Sequence, residues 1–345
     1  MTTYYVDVAV GNDANLGTSE GVGNAWASFE KAFDTVTDGD LVYVKASGEY
    51  VAQDGANDCI GEISIIPAWN AQITFEGYTT TPGDGTFACV TLNAGTNALA
   101  NCIQVYGDIN NCYYVFNNFR FTGASDNGFG RVGLRELVFR NCRFDNNGAA
   151  GYYGQTTSYF YRCQVDNNGA TGIFGQGYLL FCTCFSNTTY GAQGPAFMYA
   201  SLFYNNGTAQ TLGGSGTLWA QCVFDGNNKA ANGIANIYRA STLVNSIIYN
   251  CGVGIESPSP GAMTSCNSIN NILYENTTDR VNSPVGDDDM DADPLFTNPA
   301  TNDYTLQTGS PALAAGRDAS GDSSFMDIGA HQRQQATQIV GLELT

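Results

Sequence analysis

The sequence runs to 345 residues, with 13 Lys and Arg against 32 Asp and Glu and a formal net charge of −19. Affinity for a phosphate backbone comes largely from counterions displaced by Lys and Arg, so this balance argues against nucleic acid as a partner. Hydrophobic residues make up 43% of the chain and charged ones 13%, which suffices to bury a core and excludes a disordered acidic tail. No run approaches the roughly 20 apolar residues that cross a bilayer, so no membrane insertion is expected.

From the N-terminus, Met1 to Asp7 shows neither the basic nor the apolar region of a secretory signal. Ser28 followed by apolar Phe29, Ala32, Phe33 and Val36 predicts an N-capped amphipathic helix over 28–36. A strand is expected at Ile73-Thr74-Phe75. Val115-Phe116-Asn117-Asn118-Phe119-Arg120-Phe121 then reappears 23 residues later as Val138-Phe139-Arg140-Asn141-Cys142-Arg143-Phe144. The register continues through Arg162-Cys163-Gln164-Val165, Cys182-Thr183-Cys184, Ser201-Leu202-Phe203 and Gln221-Cys222-Val223-Phe224, at steps of 21, 19, 19 and 21 residues. Weaker copies follow at Ser246-Ile247-Ile248 and Asn271-Ile272-Leu273.

Within each copy the residues alternate as in a strand with one buried face. Two inward columns result: Phe119, Cys142, Cys163, Cys182, Ser201, Cys222, and Phe121, Phe144, Val165, Cys184, Phe203, Phe224. Most of the central cysteines are thereby accounted for as small apolar residues stacked on their copies. Of the 11 Cys, the close pair Cys182 and Cys184 lacks zinc-type spacing and a nearby His. After each strand comes an Asn-rich turn, such as Asp145-Asn146-Asn147-Gly148 and Asp166-Asn167-Asn168-Gly169. Asn accepts left-handed backbone and both donates and accepts hydrogen bonds, so an internal Asn ladder is expected. Repeats of this length are too short for paired helices and lack leucine-rich spacing. The fold class is all-β: a single parallel β-helix, with an N-terminal cap and first rung over 1–45, rungs over 46–280, and an irregular C-terminal cap and tail over 281–345.

The chain resembles the pectate-lyase-like right-handed parallel β-helix superfamily. The N-terminal resemblance lies in Tyr4-Tyr5-Val6-Asp7, Gly11-Asn12-Asp13, Gly17-Thr18, the segment from Trp26 to Val36, and Gly39-Asp40-Leu41-Val42-Tyr43-Val44. The C-terminal one lies in Asp293-Pro294-Leu295-Phe296, Asp303-Tyr304-Thr305-Leu306, Gly309-Ser310-Pro311-Ala312 and Asp327-Ile328-Gly329-Ala330. The resemblance implies a right-handed coil, and it implies polysaccharide lyases, glycoside hydrolases, adhesins and phage proteins as functional classes.

Lyases of this fold use an Arg or Lys base, often with Ca²⁺; polygalacturonase-like members use clustered Asp and a Gly-His-Gly loop. Neither set is recognisable, so no catalytic residue is assigned and a non-enzymatic protein is expected. The only His, His331, falls in the tail and reads as a surface residue. Six arginines crowd between Arg120 and Arg162. Of these, Arg120, Arg143, Arg131 and Arg135 are the candidates for holding an anionic ligand or a partner, with pairing to carboxylates such as Asp126, Glu136, Asp145 and Asp166 as the alternative. Tyr152, Tyr153 and Tyr178 are candidates for stacking on sugar rings. Asp287, Asp289 and Asp291 form a weak Ca²⁺ candidate without EF-hand spacing; otherwise no metal or cofactor is expected.

Columns of free thiols suit a reducing cytoplasm, and outward-facing Leu202 and Val223 suggest a covered surface. The first expectation is therefore a structural protein of a bacteriophage virion, either decorating the capsid or forming a fibre or spike. It would be a homotrimer or contact other virion proteins, with cell-surface polysaccharide as a further partner. The alternatives are a β-helix polysaccharide lyase or hydrolase, and a bacterial adhesin or carbohydrate-binding protein found extracellularly or at the cell surface.

Overall fold

The computed structural model describes residues 1–52, 59–63, 72–105, 113–131, 136–154, 157–214, 216–235, 237, 240–259, 267–317 and 326–330. Three parallel sheets of 11, 10 and 10 strands wind around one another as a right-handed parallel β-helix, and successive rungs pair strand on strand. The first sheet runs from Thr3–Val6 to Asn267–Ile269, the second from Glu49–Tyr50 to Ile272–Tyr274, and the third from Cys59–Ile63 to Thr278–Val281.

One residue turns the chain from the first sheet into the second. It has a left-handed backbone at Asn118, Asn141, Arg162, Phe181, Ala200, Gln221, Asn245 and Asn270, with φ between 46° and 70°. A small donor follows that corner on successive rungs, because the corner frees carbonyls that must be satisfied inside the coil. The thiols of Cys163 and Cys182 donate to Phe139 O (3.4 Å) and Phe160 O (3.3 Å). Ser201 fills the same place, donating to Tyr199 O at 2.9 Å and accepting from Cys182 N at 3.1 Å. All nine cysteines among the described residues are free, eight of them buried. Burial pushes the thiols of Cys102 and Cys222 up to about 12.

Both inward columns lie where the alternation puts them, each member at most 2% exposed. Phe121 stacks on Phe144 at 4.9 Å and Phe203 on Phe224 at 5.3 Å. The expected ladder forms at the corner between the second and third sheets. The Asn147 amide donates to Asn168 Oδ1 (2.9 Å), Asn168 to Asn187 (2.9 Å) and Asn187 to Asn206 (3.0 Å). Gln210 then takes over as acceptor from Asn206 at 2.8 Å. The amides also reach strand carbonyls at Phe121, Phe144, Val165 and Cys184, so the buried row leaves no donor idle.

The helix predicted over 28–36 is α1 (Phe29–Thr35), with Ser28 Oγ accepting from Lys31 N at 3.1 Å. Asp13 fixes the cap by accepting from Ala27 N, Ser28 N and Ser28 Oγ. Phe29 and Phe33 close the end of the coil, Phe33 lying 4.9 Å from Phe75. Gly61 permits this approach, since a Cβ there would sit 2.5 Å from the Phe33 ring.

The segment expected as an irregular C-terminal cap and tail does two things. Residues Asp287 and Met290 bridge to Ile269 and Ile272 and finish the last rung. Beyond them the tail turns back along the flank, through an antiparallel hairpin of Phe296–Asn298 and Asp303–Leu306. Phe296, Tyr304, Ala312 and Ile328 pack on Leu202, Val223, Ile247 and Ile272 of the second sheet. Leu202 and Val223 do face out of the coil. Their own tail covers them.

Candidate functional site

The part of the second sheet's outer face that the tail leaves open belongs to its earlier rungs. Because Phe121, Phe144 and Val165 point inward, Arg120, Arg143 and Gln164 form one outward column and Thr122, Asp145 and Asp166 the next. Two cations stacked on neighbouring strands, about 4.8 Å apart, would repel. Each is instead paired with the carboxylate one rung on. Arg120 Nε and Nη2 donate to Asp145 at 2.8 and 2.6 Å, and Arg143 Nε and Nη2 to Asp166 at 2.9 and 2.8 Å. Arg143 also lies 3.4 Å from Asp145, which joins the two forks into one network.

The carboxylates are fully buried, whereas the arginine side chains are 34% and 30% exposed. Asp145 further accepts from the Asn146 amide at 2.7 Å; Asp166 accepts from Gln164 and Asn167 at 2.9 and 2.7 Å. The carboxylates are thus saturated, and each guanidinium keeps Nη1 without a partner among the described residues. Hydrogen bonding to Asp145 and Asp166 raises the pKa of Arg120 and Arg143 above the usual arginine value. Both remain protonated, which suits hydrogen-bond donation and opposes use as a base.

Arg131 ends the strand Asn127–Arg131 of the third sheet, and Arg135 lies outside the described residues, as does His331. Arg162 occupies a corner, with its guanidinium carbon 5.1 Å from the Tyr161 ring centroid. Proximity in sequence is spread around the coil because one rung consumes about as many residues as the cluster spans between copies.

Of the aromatic candidates, Tyr152 is not exposed. Its register with Phe129 and Ile173 places it in an inward column, fully buried, with its hydroxyl 2.6 Å from Ser158 Oγ. Tyr153 faces outward and stacks on Phe174 at 4.9 Å and 13°. Tyr178 stacks on Tyr159 at 4.9 Å and 19°. Such stacks run along the coil, so one face of each ring is taken by a neighbouring ring.

The acidic run does not converge. Asp289 accepts from Asn271 N and the Asn271 amide (2.8 and 3.0 Å) and from Ser268 Oγ (2.6 Å), and pairs with Arg280. Asp288 pairs with Arg317, while Asp287 and Asp291 are exposed. Among the described residues no group of three or more His, Cys, Asp or Glu is placed to hold a metal ion.

One buried polar pair escaped sequence reasoning. Tyr304 of the tail donates to Asp225 Oδ2 at 2.8 Å. Asp225 occupies the same outward column as Asp145 and Asp166, but the residue one rung back in the arginine column is Leu202. An aspartate in that column without its arginine was the available signal that another donor had to arrive. Burial raises the Asp225 carboxyl pKa, against the lowering effect of Tyr304.

No protein-family model matches the sequence, and no curated protein does. Among solved structures, that of pectate lyase Pel9A superposes with a TM-score of 0.68 at 19% identity, covering 96% of this chain and 96% of that one. A rhamnogalacturonan lyase gives 0.41 at 14% identity over 97% of both chains. The A-module of the Azotobacter vinelandii mannuronan C-5 epimerase AlgE4 gives 0.41 at 13%, covering 73% and 83%. The first likeness shows the fold alone: a right-handed parallel β-helix. The other two are too distant to add to it. None of the three is a virion component, so that expectation gains no support from them.

Proposed function

We propose that this chain is a carbohydrate-active β-helix protein that lays a polysaccharide along the open flank of its second sheet. This is the alternative reading of the sequence, and it displaces the virion reading as the first choice. The observation that carries it is the end-to-end correspondence with a pectate lyase, 96% of each chain. The paired arginines supply the contact: Arg120 and Arg143 offer Nη1 donors to sugar oxygens, with Gln164 and Thr183 continuing the row on the next strands. Binding is favoured over proton abstraction because both guanidinium groups are held protonated. The protein then acts where polysaccharide is found, outside the cell or at its surface. A virion component assembled in a reducing cytoplasm stays as the second reading, on the nine free thiols. The homotrimer belongs to that second reading, and the apolar flank at Leu202 and Val223, covered by the tail, adds no argument for it.

The test is retention of the purified chain in affinity gels cast with a panel of plant, algal and bacterial polysaccharides, with assay of released reducing ends. Retention by at least one polysaccharide is expected, lost in the Arg120→Gln/Arg143→Gln double variant with its circular dichroism intact. Free migration through every gel would sink the proposal.

A further inference from the structure

The open flank has a charge balance that bears on which polysaccharide it takes. Two guanidinium groups face two carboxylates, and both carboxylates are buried beneath them. The next charge acting on Arg120 is another carboxylate, Glu49, which itself holds the Asn93 amide at 2.8 Å. An anionic sugar would accept from the same Nη1 groups, but the positive charge that would attract it is already answered by Asp145 and Asp166, so it gains no net Coulombic attraction there. It would also approach a chain of net charge −19. A neutral sugar needs no such attraction. Its hydroxyl oxygens accept from the spare Nη1 groups, which point away from the carboxylates already served by Nε and Nη2.

The rest of the row fits the same ligand. Gln164 and Thr183 stand beside Arg143 on the following two strands and are partly exposed. Thr183 adds a hydroxyl that both donates and accepts. Further along, Phe185 stacks flat on Tyr204 at 4.8 Å and 3°, and Tyr204 in turn meets Tyr304 of the tail at 5.7 Å. Past Thr183 the row continues into Leu202, so the flank changes from donors of no net charge to an apolar surface that the tail covers.

We infer that the flank over Arg120, Arg143, Gln164 and Thr183 binds a neutral polysaccharide and discriminates against polyuronates. This rests on the carbohydrate reading above and narrows it to a substrate class. Arginine here is a hydrogen-bonding surface whose charge is already answered, so affinity depends on geometry rather than on ionic strength.

The experiment compares the full chain in affinity gels and by calorimetry on neutral polysaccharides (xylan, glucomannan, mixed-linkage glucan) and on polyuronates (polygalacturonate, alginate), at low and high salt. A neutral polymer is expected to bind at least about tenfold more tightly than either polyuronate, with affinity unchanged by salt. Arg120→Lys and Arg143→Lys keep the charge but remove the fork and are expected to weaken neutral binding by about fivefold. Thr183→Val, outside the ion-pair network, gives a second variant whose folding is not in question, and a smaller loss is expected. Tighter binding of a polyuronate that falls steeply with salt overturns this inference and leaves the carbohydrate reading standing. Wild-type affinity in all three variants also overturns it, by moving the site elsewhere. Binding to no polymer of either class overturns both.

Discussion

The outer face of the second sheet is one surface built twice, in two ways. On its earlier rungs the two outward columns carry Arg120, Arg143 and Gln164 beside Asp145 and Asp166; on its later rungs the same columns carry Leu202, Val223, Ile247 and Ile272 beside Tyr204 and Asp225. The backbone is the same and the corners are the same, so the side chains alone decide the fate of each half. The ion-paired half satisfies itself and stays open to solvent. The apolar half cannot, and it takes the tail as its cover. The difference shows that the repeat fixes where a residue points, while the chemistry of that residue fixes what must come to lie on it.

The sharpest way to break this contrast is to put a charge under the tail. Ile247 is fully buried against Phe296 and its neighbours, so Ile247→Asp buries a charge without a partner. A loss above about 4 kcal/mol is expected in denaturant unfolding. Limited proteolysis should cut first in the tail between Pro294 and Ala330, and an unchanged digestion pattern would show that the tail is not held by this seat. Next in size, Arg143→Ala removes both strong donors from Asp166 while Asp145 keeps Arg120. The expected cost is about 1–3 kcal/mol, since Asp166 keeps the Gln164 and Asn167 amides. A loss no larger than that of an exposed surface arginine would mean that the network contributes nothing to the open half.

The smallest effects concern the one polar pair beneath the tail. Tyr304→Phe removes the donor to Asp225 and should cost about 1 kcal/mol, read from the shift in denaturant midpoint. Asp225→Asn tests the pH sense. A carboxyl raised by burial contributes stability that is fully present below its ordinary pKa and is lost as pH rises through the raised value. The Asn variant escapes that loss, so its stability relative to wild type should improve from acidic to neutral pH. An advantage that shrank over the same range would reverse the assignment of Asp225 as the strained member of the pair.

Much of this was legible in the sequence because a β-helix writes its core as a period. The copies from Val115 to Leu273 gave the columns, the ladder at Asn147, Asn168, Asn187 and Asn206, and the outward stacking of Arg120 on Arg143. Two kinds of residue resisted. Tyr152 sits in a two-residue strand, too short for alternation to set a phase; only its register with Phe129 and Ile173 shows that it points in. Leu202 and Val223 had the right direction but no visible cover, because the tail that packs on them is not part of the repeat. The candidate site was half legible for the same reason: Asp145 and Asp166 were among the possible partners of the arginines, yet nothing local distinguished them from Asp126 or Glu136.

The Asn ladder has a consequence for the history of such a chain. Asn168, Asn187 and Asn206 follow one another at intervals of 19 residues, and each amide needs only the amide of the next interval. Excising one whole interval in this stretch would close the row again, with every remaining donor and acceptor meeting an equivalent neighbour. Length is then a countable trait, open to gain and loss by duplication and deletion in units of one turn, whereas a cut that is not a whole turn would strand a buried amide. The tail marks where that freedom stops, since its seat on four particular turns ties the final part of the count to a fixed number.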